Sequence, residues 1–116
     1  PKPLQQPLPI CIGGKGRRRT LPLAARHAHH WNYSGSEPDE FADLKQVLHR
    51  SCTEIGRDPS EIACSVIVRS DGGADRLLAD VDAFESAGAD LAIISIPKSH
   101  PPSIIEAIAA AVTPTG

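Results

Sequence analysis

Short runs of apolar residues alternate along this 116-residue chain with longer segments in which apolar side chains recur at helical spacing. The runs predict β-strands at 10–12, 30–34, 62–68 and 91–96. The segments after them predict four amphipathic helices, with apolar positions within 21–29, 41–55, 77–84 and 104–112. The predicted order is therefore a strand followed by a helix, four times over.

Capping and glycine residues predict where the helices begin and end. Thr20 is expected to cap the first helix, and Ser36 with Asp39 resembles a capping box that opens the second. Gly56 and Gly88 are expected to end the second and third helices, because glycine readily adopts the left-handed conformation found there.

Strands that alternate with helices favour a parallel sheet. The runs at 62–68 and 91–96 show no polar alternation, so we expect helices on one face of the sheet and a barrel core on the other. Four βα units are half of a (β/α)8 TIM barrel, which typically needs about 250 residues. The predicted fold is therefore an α/β half-barrel with parallel strands, and a small doubly wound domain is the alternative.

An isolated half-barrel would leave two open strand edges and an uncovered inner face. We therefore expect the chain to need a partner half-barrel or to form a homo-oligomer. Within the chain, residues 1–9 hold four prolines and are predicted to be an extended lead-in, and residues 10–116 are predicted to be the half-barrel of four βα units.

The composition narrows the classes of function. A content of 41% hydrophobic and 22% charged residues is typical of a globular protein, and a net charge of −2 offers no field that would recruit nucleic acid or a membrane. Aromatic residues make up 3%, which argues against stacking platforms for bases. No stretch approaches the roughly 20 apolar residues of a membrane span, and no signal-peptide pattern is visible. We therefore expect a cytoplasmic protein with a small-molecule substrate.

The cysteine and histidine residues give no strong signal for catalysis or metal binding. Cys11, Cys52 and Cys64 are far apart, without a CxxC pair, and are interpreted as buried, reduced thiols. No metal site is predicted, because no carboxylate or cysteine lies in the short stretch that holds three closely spaced histidines, His27, His29 and His30. Trp31 and Asn32 could line a ligand pocket, although a lone tryptophan is more often a core residue.

The segment PICIGGKGRRRT, residues 9–20, is the richest in chemistry. Its glycines let main-chain N–H groups approach an anion closely, and the start of a helix adds a partial positive charge. Lys15 and the three arginines that follow add cationic side chains, so the segment suits a phosphate monoester or diester. It matches neither a Rossmann fingerprint nor a P-loop. A glycine turn followed by a solvated basic stretch is the main alternative, and a nucleic-acid patch is a weaker one.

Four segments, taken in order, resemble the luciferase-like monooxygenase superfamily and in particular its F420-dependent oxidoreductase branch. They are PKPLQQPLPICIGG, GGKGRRRTLPLAARHAHHWN, GRDPSEI and GADLAIISIP. The resemblance extends over nearly the whole chain and implies that these are strands five to eight, the C-terminal half of the barrel. The chain departs from the family at His29, where an acidic residue is common, and at Pro22, where a helix former is preferred.

The resemblance implies hydride transfer between reduced F420 and an organic substrate, or an FMN-dependent monooxygenation. The residues that it implies for cofactor binding are Gly13, Gly14, Lys15 and Gly16 at the phosphate, with Thr20 assisting and Arg17 in a basic run that suits the phosphodiester and glutamate tail of F420. The family draws much of its flavin pocket and many catalytic groups from the first four strands, so no catalytic residue is assigned. A non-catalytic truncated remnant and a phosphate-ligand binding module remain alternatives, and the substrate stays open.

Overall fold

The computed structural model of the protein describes Lys2 and residues 4–112, apart from the side chain of Val112. Its elements follow the predicted order: β1 (Cys11–Gly13), α1 (Thr20–His27), β2 (His30–Tyr33), α2 (Pro38–Glu54), a short 3-10 helix (Pro59–Glu61), β3 (Ala63–Arg69), α3 (Ala74–Ser86), β4 (Leu91–Ser95) and α4 (Ile104–Val112). Part of the predicted lead-in, at positions 1 and 3, lies outside the described residues, as does the end of the chain after 112.

The four strands form one parallel sheet in the order β1-β2-β3-β4. Crossovers between parallel strands almost always have the same hand, so a sequential order places every helix on one face of the sheet. A doubly wound sheet instead reverses its direction of growth and carries helices on both faces. The described part of the chain therefore has the arrangement expected of a half-barrel, and the doubly wound alternative is wrong.

The hydrophobic core lies between the sheet and its helices. Trp31 and Tyr33 of β2 pack there against Phe41 and Phe84, with the Trp31 and Phe41 rings stacked at a centroid separation of 5.7 Å. Alternate residues of β3 join them, and α1 contributes the buried face that its spacing predicted: Leu21, Ala24, Ala25 and Ala28. Apolar periodicity thus located the core correctly.

None of the described helices lies on the opposite face of the sheet, and we call it the inner face. Since side chains alternate along a strand, the positions between the core residues lie there. They are Cys11, Gly13, His30, Asn32, Ala63, Ser65, Ile67, Arg69, Leu91, Ile93 and Ser95. Three large apolar residues on this face are substantially exposed: Ile67 at 38%, Leu91 at 51% and Ile93 at 41%.

The structure corrects two predicted helix starts and one predicted burial. Thr20 is the first residue of α1, and the cap position falls on Arg19 with no side-chain cap. The capping box at Ser36 is also wrong, because α2 begins later, at Pro38. Cys11 is exposed, because it alternates with a half-buried neighbour and so lies on the inner face, whereas Cys52 and Cys64 are buried as predicted.

Gly56 and Gly88 follow the ends of α2 and α3 with φ angles of 74° and 102°, as expected of glycines that end helices. Among the described residues, no helix is both long enough and apolar enough to cross a membrane.

Candidate functional site

The loop of residues 14–19 leaves the carboxyl end of β1 and enters α1, and we call it the glycine loop. Lys15, Gly16 and Arg17 are exposed. The Gly14 N–H donates a hydrogen bond of 3.3 Å to the Asn32 carbonyl oxygen, near the carboxyl end of β2. The loop therefore lies at the edge of the sheet where (β/α)8 barrels bind their ligands.

Trp31 anchors this loop to the core. Its indole Nε1–H donates to the Gly14 carbonyl oxygen at 2.9 Å, while its ring stacks on Phe41 in the aromatic cluster. Trp31 is thus a buried core residue and not part of a pocket wall. Asn32, the other residue considered for a pocket, lies on the inner face and donates to the Ser65 hydroxyl at 2.7 Å.

Two of the glycines are required by contact with Thr20. Gly14 has a φ angle of +130°, and a Cβ atom there would come within 2.9 Å of Thr20 Cγ2. A Cβ at Gly16 would come within 2.8 Å of Thr20 Oγ1. At Gly13 a Cβ would meet only the Asn32 carbonyl oxygen, at an ordinary 3.8 Å, so the described chain leaves room beside it. The loop is therefore folded around Thr20, and its backbone is open at Gly13.

The main-chain amides of the loop are available to a ligand. Among the described residues, no acceptor pairs with the N–H groups of residues 15–20. The start of α1 contributes little, because the Leu21 N–H donates to the Gly16 carbonyl oxygen at 2.9 Å and Pro22 has no N–H. The capacity to bind an anion thus resides in the loop and in Thr20, not in the helix end as a whole.

One carboxylate moderates the positive charge of the loop. Lys15 Nζ lies 3.2 Å from Glu40 Oε1, which also accepts a 2.7 Å hydrogen bond from the Tyr33 hydroxyl. The hydrogen bonds from Tyr33 and then from Lys15 lower the pKa of Glu40, so it remains charged. The three arginines at 17–19 are exposed and form no ion pair with any described residue, so an excess of positive charge remains.

A cleft of about 630 Å³ opens at the same edge of the sheet. Its walls include residues 34–36 after β2, the end of β3, Ser95 and one flank of α3. Arg69, the last residue of β3, lines it from the inner face and forms no ion pair with the described residues. The sequence reasoning missed Arg69, although a basic residue directly after a buried strand is a recognisable signal in a parallel sheet.

A second cavity, of about 640 Å³, lies at the amino edge of the sheet, and polar groups around it already hold the ends of the strands. His29 Nδ1 accepts from the Ile10 N–H at 3.0 Å, and Asp90 accepts from the Cys64 N–H at 2.8 Å. Lys45 Nζ donates to the Gly88 carbonyl oxygen at 2.5 Å. The polar residues around this cavity are therefore explained by their bonds to the backbone, without a ligand.

The three closely spaced histidines of the sequence do not assemble around one point. His27 is exposed on α1, and His29 accepts a backbone N–H. His30 lies on the inner face, with Nε2 at 2.6 Å from the Ser65 hydroxyl. Within 4–112 and Lys2, no group of three or more His, Cys, Asp or Glu side chains is arranged to hold a metal ion.

The sequence matches neither a protein-family model nor a curated protein, but the fold matches solved structures. A coenzyme F420-dependent tetrahydromethanopterin reductase from Methanopyrus kandleri aligns with a TM-score of 0.70 and 11% identity, over 92% of this chain and 50% of that chain. An F420-dependent secondary alcohol dehydrogenase, solved in complex with an F420-acetone adduct, aligns with a TM-score of 0.74 and 12% identity, over 92% and 49%. The chain spans about half the length of these barrel enzymes, which confirms the predicted half-barrel fold.

Proposed function

We propose that this chain is half of the barrel of an F420-dependent oxidoreductase of the luciferase-like type, and that its glycine loop holds the phosphodiester of the cofactor. The observation that carries the proposal is the run of main-chain N–H groups at 15–20 that pair with no acceptor among the described residues, in a loop whose residues 15–19 are exposed at the carboxyl edge of the sheet. The fold adds support, because two of the solved enzymes that it matches are F420-dependent.

The donors of the loop fit a phosphate ester. Main-chain amides and the side chains of Lys15 and Arg17 supply hydrogen bonds and positive charge, and the space beside Gly13 allows close approach of an oxygen atom. Thr20 lies so close to Gly14 and Gly16 that neither position has room for a Cβ atom in this loop conformation. Arg69 lies in the neighbouring cleft, where it would meet a further acidic group of the ligand.

When bound, the deazaflavin supplies the hydride-transfer chemistry. The residues of this chain bind and orient it: the loop fixes the phosphate, and the inner face forms one wall of the barrel mouth. We propose a small organic molecule as the substrate, without assigning the catalytic groups that act on it. The proposed compartment is the cytoplasm, where the free thiols of Cys11, Cys52 and Cys64 would stay reduced.

A binding titration tests the proposal directly. The purified 116-residue chain is titrated with F420 by calorimetry, beside the variants Lys15→Ala and Arg17→Ala. Each variant is expected to weaken binding by roughly threefold to thirtyfold, because each removes a charge-assisted contact, and the loss should shrink at high salt. Arg50→Ala is the matched control. Arg50 is an exposed basic residue near the C-terminal end of α2, and it forms no ion pair with the described residues.

The alternatives predict different titrations. Equal losses for Arg50→Ala and Lys15→Ala would exclude the glycine loop as the site. Tighter binding of FMN than of F420 would change the proposed cofactor but leave the glycine loop as its binding site. Tight binding of simple phosphate esters, with no gain from a flavin ring, would indicate a phosphate-binding module. No binding at high micromolar F420 by a folded wild-type chain would favour a non-catalytic remnant.

A further inference from the structure

We propose that a second copy of this chain covers the inner face, so that two chains form one closed eight-stranded barrel. The twofold axis would run along the barrel axis, with β4 of each copy beside β1 of the other. This inference rests on the fold and does not require the cofactor assignment to be correct.

The number of strands points to two equal contributions. A (β/α)8 barrel closes with eight strands, and this sheet has four. Two solved barrel chains match this chain over 50% and 49% of their length, so a second half of similar size completes such a barrel. Because the described helices all lie on one face, a second copy can reach the inner face without displacing any of them.

The geometry of the two edges allows closure in the correct direction. β1 pairs only with β2 and β4 only with β3 among the described strands, so each has one free edge of backbone N–H and C=O groups. A twofold rotation about an axis along the strands preserves strand direction. β4 of one copy and β1 of the other are therefore parallel, like the pairs within each sheet, and both junctions are the same.

The chemistry of the inner face is complementary to itself. Its apolar part, Ile67, Leu91 and Ile93, is exposed in one chain and would be buried against the same residues of a second copy. Next to it, the Ser65 hydroxyl is bonded to His30 Nε2 and to Asn32 Nδ2, at 2.6 and 2.7 Å.

This polar group offers both halves of a hydrogen bond. Asn32 Oδ1 is an acceptor with no partner among the described residues. If the Ser65 hydroxyl donates to His30 Nε2, the other ring nitrogen, Nδ1, carries an N–H that is free to donate. In the other tautomer His30 Nε2–H donates to Ser65, and the Ser65 hydroxyl proton is the free donor. A twofold-symmetric contact needs a surface with both a donor and an acceptor, and this one has them in either state.

The dimensions of the chain also suit an incomplete shell. Its radius of gyration is 16.0 Å, whereas a compact domain of this length has a radius of roughly 13 Å. Residues 4–9 of the lead-in are exposed and contribute to the difference, and so does a sheet that the described helices cover on one face only.

Sedimentation equilibrium and thermal unfolding of the 116-residue chain test this proposal. The expected particle has twice the 12.3 kDa mass of one chain, and its Tm should rise with protein concentration, because dissociation is coupled to unfolding. Ile93→Lys, on the inner face, should weaken association by roughly 100-fold, since it places a charge in the barrel core. Ile55→Lys is the matched control, because Ile55 is 49% exposed directly after α2, which connects the two inner strands β2 and β3.

Hydrogen exchange on the wild type covers the case in which Ile93→Lys does not fold. Amides of β1 and β4 should gain protection as the concentration rises. A folded monomer at all concentrations would overturn the proposal and favour a different half as the covering unit. An association that Ile93→Lys leaves intact, or that protects the helices in place of the strand edges, would also overturn it.

Discussion

Thr20 shows how one side chain can shape a backbone loop without capping a helix. The sequence suggested a cap, but the structure places Thr20 inside α1, with its methyl and hydroxyl groups against Gly14 and Gly16. The glycines therefore serve two purposes, since they make room for Thr20 and leave the amides of the loop open. The open amides could be predicted from the glycines in the sequence, whereas the contact with Thr20 could not, because it depends on how the loop folds.

A double-mutant cycle separates the two purposes. Gly16→Ala should destabilise the protein by about 1–3 kcal/mol, because its Cβ would come within 2.8 Å of Thr20 Oγ1. In a Thr20→Ala background, which removes that oxygen, the same substitution should cost little. Urea unfolding of the four proteins measures the coupling. If the two costs simply add, steric contact with Thr20 is not the reason for glycine at 16.

At the scale of the elements, Arg57 joins the end of α1 to the segment before β3. Its guanidinium donates to the carbonyl oxygens of Ala25 and Ala28, at 2.9 and 2.6 Å, and to Glu61 at 3.1 Å. The carbonyl groups at a helix end have no partners within the helix, and a cation there also interacts favourably with the helix dipole. Arg57 thus completes α1 from a position 29 residues beyond Ala28 in the chain.

Replacing Arg57 should therefore destabilise the protein far more than replacing its acidic partner. Arg57→Ala is expected to cost about 2–3 kcal/mol, because two carbonyl oxygens lose a charged donor. Glu61→Gln should cost under about 1 kcal/mol, since the Glu61 side chain is 59% exposed. Chemical denaturation of both variants measures the difference. Similar costs for the two would mean that the exposed ion pair, and not the capping, is what matters.

Element type and order could be predicted from the sequence, whereas element starts could not. Apolar spacing identified all eight strands and helices, because burial against one sheet imposes it. The start of α2 failed for a tertiary reason: the Tyr33 hydroxyl accepts the Glu37 N–H at 3.2 Å, so the helix does not need Ser36 as a cap. Such a contact depends on how β2 packs, so the residues around the helix start do not reveal it.

For the whole molecule, the side chains on each face depend on strand register. Pairing of Asn32 with Ser65 brings the polar group of the inner face together, and a shift of one residue would replace it with core residues. The sequence predicted that a barrel face exists, but it could not say which polar residues meet there.

One buried phenol and two buried thiols should make the stability of the whole molecule fall in alkaline solution. Burial is the main cause that raises the pKa of Tyr33 to about 12, from an ordinary value of 10.0, and the pKa of Cys64 to about 11, from 9.0. Burial raises the pKa of Cys52 as well. Each group holds its proton more tightly in the folded state than in the unfolded state. Its contribution to the free energy of unfolding is therefore complete below about pH 9 and is lost as the pH rises towards 12.

Denaturation at a series of pH values checks this expectation. The free energy of unfolding should decline from about pH 9 upwards, and Tyr33→Phe should remove the part of the decline above pH 10. Tyr33 is the single tyrosine of the chain, so the ultraviolet absorbance of phenolate follows its titration without interference from others. An ordinary titration near pH 10 in the folded protein would contradict the burial of this hydroxyl.

The bond from Trp31 to Gly14 has a practical consequence. Trp31 is the single tryptophan of the chain, and its indole N–H touches the backbone of the glycine loop. Its intrinsic fluorescence is therefore a built-in probe, one hydrogen bond away from the loop that is proposed to bind the ligand. Any anion that changes the position of Gly14 alters the emission of that indole, so even colourless phosphate esters can be screened optically on the unmodified chain.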